Sequence, residues 1–113
     1  MEELALTLPV LHGKRSLLEG LLEVLGSTKK REFGDSKKRL GVEKESWFLE
    51  SSIRGDSLIM HWEGSAPQDS FNRWMSSSDS FDVWLKSQLL EVTGVDLNTP
   101  VPGGPSRRLM KYP

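Results

Sequence analysis

The chain contains no cysteine. Disulfides, thiolate metal sites and a cysteine nucleophile are therefore excluded, and the absence agrees with a reducing compartment. No apolar run approaches the roughly 18 residues of a membrane-spanning helix. The opening Met1-Glu2-Glu3 has the wrong charge for a secretory leader. A soluble, cytoplasmic protein with no membrane association is expected. Charge of one sign is also missing: 15 basic and 16 acidic side chains give a net charge of -1. That balance argues against general nucleic-acid binding. Histidine is scarce, with two residues fifty positions apart and no cysteine to join them, so no metal motif is legible and no cofactor is implied. Dinucleotide, phosphate-loop, nucleophile-elbow and zinc-protease signatures are absent as well.

Against these absences stand 113 residues with 36% hydrophobic and 27% charged side chains, enough for one domain over 1–113 with a modest core. Four tryptophans add large buried area. Leu4, Leu6, Leu8 and Val10 alternate with other residues, which predicts a strand ending near Pro9. Leu17, Leu18, Leu21, Leu22 and Leu25 follow helical spacing, and the stripe extends to Phe33 and Leu40. One long helix is expected there, with its weak point at Gly34-Asp35 and its stop at Gly41. Lys44–Ser52 and Ser57–Gly64 read as a hairpin turning at Arg54-Gly55. In that register Trp47 faces Trp62 and Leu49 faces Met60, while Phe48 faces His61 on the other side. The second face is mixed, not simply polar, so it calls for cover.

Ala66-Pro67 starts a short helix bearing Phe71, Trp74 and Met75. A second follows with Phe81, Trp84, Leu85, Leu89 and Val92 on its stripe. Asp79 is placed to cap it, with Asp82 as an acidic variant of the capping-box partner, and Gly94 is placed to end it. Residues 98–106 hold three prolines and two glycines and form a loop. Arg107–Tyr112 reads as a short last strand.

The resulting order is β-α-β-β-α-β, the ferredoxin-like arrangement within the α+β class. Several segments carry a resemblance. They are Arg39-Leu40-Gly41-Val42, Glu45-Ser46-Trp47-Phe48-Leu49-Glu50, Leu58-Ile59-Met60-His61-Trp62 and Ser78-Asp79-Ser80-Phe81-Asp82. In these the chain resembles small bacterial proteins of unassigned function in the dimeric α/β-barrel superfamily. The resemblance implies a homodimer whose sheets face each other. The superfamily includes cofactor-independent monooxygenases, haem-degrading enzymes and dehydratases, but none of these segments is a catalytic signature.

Candidate chemistry is sparse. His61 shares a predicted sheet face with Phe48, Glu50 and Glu63, so it can act as a general base beside a carboxylate, or simply sit at an interface. His12 precedes a helix N-terminus where Lys14 and Arg15 add positive charge, which suits an anion; an exposed loop histidine is the alternative. Trp47, Trp62, Trp74 and Trp84 either line a pocket for a small apolar ligand between helices and sheet or fill the core. Lys29-Lys30-Arg31 and Lys37-Lys38-Arg39 sit about 80° apart on a helix and read as a solvated face. Three functions remain: a binder of a small apolar molecule, a cofactor-independent monooxygenase-like enzyme using His61 or His12, and a structural dimer without a pocket.

Overall fold

The computed structural model describes residues 2–101 and 103–113. Met1 and Pro102, the latter within the predicted loop, lie outside the described residues. Among the described residues the fold is α+β: one antiparallel sheet of three strands and four helices. In chain order the elements are β1 (Glu2–Val10), α1 (Arg15–Leu25), α2 (Lys30–Leu40), β2 (Lys44–Ser52), β3 (Gly55–Gly64), α3 (Pro67–Met75) and α4 (Ser80–Thr93). The sheet order is β1-β3-β2, so β3 is central.

The single long helix is a correction. The chain breaks between Leu25 and Lys30, not at Gly34-Asp35, which lies inside α2. Length supplies the reason. One helix from Arg15 to Leu40 would run about 39 Å, whereas nine-residue β1 spans about 30 Å. Folding it into two 11-residue helices keeps both against the sheet. Gly41 ends α2 at φ 79°, a left-handed conformation that glycine adopts without steric cost. Gly64 is needed for a different reason: a Cβ there would lie 2.7 Å from the Gly41 carbonyl oxygen. These two glycines let the end of β3 press against the loop that enters β2.

The hairpin forms as expected, but its register is shifted by two residues. Ser52 pairs with Gly55, so Ile53-Arg54 makes the turn; Trp47 faces Met60, Leu49 faces Leu58, and Phe48 faces Ile59. A shift of two leaves every side chain on its predicted face, because the strand period is two. The predicted last strand does not form. Residues 107–113 carry no strand, and only an isolated antiparallel bridge between Ser106 and Ala5 marks the free edge of β1.

The inner face of the sheet presents Leu4, Leu6, Leu8, Leu58, Met60 and Trp62, all buried. These pack with Leu18, Leu21, Leu25, Phe71, Trp74, Leu85 and Leu89 from the helices into one core. Asp79 caps α4 through Phe81 and Asp82 N–H groups, as its position predicts. Asp82 does not reach back as a capping-box partner; it is turned inward. Among the described residues no helix is long and apolar enough to cross a membrane.

Candidate functional site

The tryptophans do not share one cavity. Trp62 and Trp74 are core residues, with ring centroids 5.4 Å apart in an edge-to-face arrangement, and Phe71 completes the cluster. Their indole N–H groups have no hydrogen-bond partner among the described residues. Trp47 and Trp84 are half-buried and open on separate clefts.

The cleft beside Trp47 lies where the α1–α2 turn meets β2. Its volume is about 310 Å³, and Leu22, Leu25, Phe33, Glu45 and Trp47 line it. Period two places Glu45 and Trp47 on the inner face of edge strand β2, while Phe33 comes from α2 and meets Trp47 edge-on at 6.4 Å. The lining carboxylate is paired: Lys37 Nζ donates to Glu45 Oε1 at 2.6 Å. Trp47 Nε1 donates to the other Glu45 oxygen. The Lys37 ammonium also sits 4.4 Å from the centroid of Trp62 and 5.2 Å from that of Phe33. Both charges are thus answered within the wall, by a carboxylate, an indole N–H and aromatic faces. The surface offered to a visitor is aromatic and electrically neutral.

The reading of Lys37-Lys38-Arg39 as one solvated face is corrected here. Lys38 is exposed, but Lys37 turns inward, and Arg39 forks onto Asp82 at 2.7 and 3.2 Å. Ser36 and Ser77 also donate to Asp82, which is fully buried. Burial pushes the Asp82 carboxyl up, but the bonds from Arg39, Ser36 and Ser77 together hold it below the usual carboxylate range. One turn later Lys86, 1% exposed, donates to the carbonyls of Trp74, Met75 and Ser77 at the end of α3. Burial holds its pKa below the ordinary lysine value. These two groups tie α4 to α2 and α3, and they brace the helical wall behind the cleft. Lys29, at the start of α2, lies 5.2 Å from the Trp84 ring of α4.

His61 lies on the outer face of the sheet, away from that cleft. Its Nε2 is 3.5 Å from Glu3 Oε1, and Glu63 follows it on the same face. The chain's tail reaches this spot: Arg108 donates to Glu3 and holds its carboxyl below the usual range. His12 lies in the exposed turn after β1, at the opposite end of the sheet from His61. Arg15 near it is paired with Asp56 at 3.9 Å. The structure therefore separates His61, His12 and the tryptophan-lined cleft into three places. Sequence reasoning missed Lys37, Glu45, Asp82, Lys86 and Arg108, whose partners were not identifiable from local sequence patterns. Compared with protein-family models, curated proteins and solved structures, the chain matches none.

Proposed function

We propose that the chain is a homodimeric binding module that takes up a small, flat, largely apolar molecule in the cleft between the α1–α2 turn and β2. One observation carries the reading: a cleft of about 310 Å³ walled by Leu22, Leu25, Phe33 and Trp47, whose lining carboxylate, Glu45, is paired with Lys37. Small-molecule sites begin at about this size and combine apolar walls with a few placed polar groups. With a hydrogen bond already on each Glu45 oxygen, selection rests chiefly on shape and on stacking against Trp47 and Phe33.

The dimeric part of the reading rests on the outer sheet face. Among the described residues no helix covers it, and Phe48 is 55% exposed beside half-buried Ile59. The order β1-β3-β2, with Ser106 bridging the free edge of β1, is what a β-α-β-β-α-β chain leaves when its last strand shrinks to one bridge. A second sheet packed on the first, in the manner of dimeric α/β barrels, would cover Phe48 and Ile59 together. The third possibility, a dimer without a ligand, is an outcome of the same experiment.

The test is a titration with aromatic metabolites, apolar acids and haem, followed by tryptophan fluorescence and by thermal melting. A binder is expected to change the emission of Trp47 and raise the melting temperature. Trp47→Leu should weaken binding at least tenfold while the fold is kept. If the binders found act equally on Trp47→Leu, or if none of the panel binds, the cleft is not a ligand site.

A further inference from the structure

The outer face of the sheet gathers three metal-ligating side chains that the cleft does not use. Glu3 on β1 stands directly opposite Glu63 on β3, and His61 precedes Glu63 by two residues on the same strand. Period two sends all three side chains out of one face. A carboxylate oxygen from each glutamate and a ring nitrogen of His61 lie within 4.8 Å of one another. His61 Nε2 lies 3.5 Å from Glu3 Oε1. Donor atoms around a tetrahedral zinc ion are about 3.4 Å apart, as follows from ligand distances near 2.1 Å. The remaining separations close by small side-chain rotations, since all three residues are only partly buried or exposed.

Two further features favour a cation here. Like charges directly opposite on antiparallel strands repel; Arg108 answers Glu3 and Lys44 stands opposite Glu63 on β2, and a cation held between the two carboxylates would add to that compensation. Arg108 donates to Glu3 Oε2 and leaves Oε1 facing His61. A ligating carboxylate is commonly held by such an outer partner, which fixes its orientation. One imidazole and two carboxylates form a donor set suited to zinc and its first-row neighbours. Three protein ligands also leave a coordination position open. A cleft of about 300 Å³, lined by Glu3, His61, Arg108 and Met110, adjoins it.

We propose that Glu3, His61 and Glu63 bind one divalent transition-metal cation of the zinc class, with Arg108 as the residue that positions Glu3. The site uses one chain's residues only and none of the aromatic cleft, and it lies on the same outer sheet face as Phe48 and Ile59. The test is calorimetric titration of the full chain with zinc chloride alone and, separately, with magnesium chloride. One zinc per chain is expected, with no measurable magnesium binding. His61→Asn and Glu63→Gln should each weaken zinc binding at least tenfold, and Arg108→Met about tenfold with recovery in Arg108→Lys. His12→Ala should leave it unchanged. Circular dichroism and metal-free melting check that each variant folds. Cobalt titration of the unaltered chain gives a second readout, because bound cobalt in a low-coordinate site shows visible absorption bands. Zinc binding that is absent, or equal in His61→Asn and Glu63→Gln, would overturn the proposal, as would a cobalt spectrum unchanged from that of the aqueous ion.

Discussion

The two faces of the sheet solve their polar groups differently. On the inner side, charge is admitted only with its partners. Lys37 meets Glu45 and three aromatic rings, Asp82 meets Arg39, Ser36 and Ser77, and Lys86 meets three carbonyls. Buried charges are tolerated only on such terms, since a lone one would cost several kcal/mol. On the outer side, Glu3, His61 and Glu63 stand together with Arg108 and Lys111 near Glu3 and Lys44 opposite Glu63, and Phe48 is left exposed. The inner face pairs these charges, although the indole N–H groups of Trp62 and Trp74 stay without a partner among the described residues, whereas the outer face leaves Phe48 exposed. Stability should therefore reside in the first and association in the second.

The sharpest way to break that contrast is to damage the inner face. Trp74→Ala removes a fully buried ring packed against Trp62 and Phe71 and should cost about 4 kcal/mol, measured by urea unfolding. A loss below about 1 kcal/mol would mean the helical layer is loosely packed.

Asp82→Asn comes next. It keeps the shape of the side chain but removes the charge that Arg39, Ser36 and Ser77 are arranged around, and should cost about 2 kcal/mol at neutral pH. The effect has a pH signature. Because the folded-state pKa of Asp82 is depressed, its contribution is fully present above the unfolded-state value, near 3.9, and is lost as pH falls through the folded-state value. Asp82→Asn should flatten the acid limb of the stability curve between about pH 4 and the acid end of the transition. An unchanged acid limb would show that Arg39 and the two serines do not hold the carboxylate.

The smallest effect on stability is expected on the outer face. Phe48→Asp should change the stability of a single protomer by no more than about 0.5 kcal/mol, since that ring touches little within the chain. Its effect should be on assembly instead.

These contrasts were only partly legible in the sequence. The strands were visible because alternation at Leu4, Leu6, Leu8 and Val10, and at Leu58, Met60 and Trp62, reports burial directly. The hairpin register was not, because Arg54-Gly55 and Ile53-Arg54 serve equally as a turn in the pattern; only the backbone pairing decides, and the two choices preserve the same faces. The break after Leu25 escaped because apolar spacing carries on to Leu40, while the limit is the length of the sheet. The tail's few apolar residues could not show that Arg108 would reach Glu3 across 105 positions. The half-buried Lys37 and the buried Asp82 were misread, and the buried Lys86 passed over, for one shared reason. A charged residue on a helix looks exposed unless its partner is known, and Asp82 finds Arg39 and Ser36 at sequence separations of 43 and 46.

Light scattering of the purified chain, set beside Phe48→Asp, tests most directly whether the outer face is an assembly surface. The unaltered chain should have twice its 12.7 kDa mass at tens of micromolar, and Phe48→Asp should have the single mass while keeping its circular dichroism. A 12.7 kDa particle at every concentration for both proteins would contradict the account.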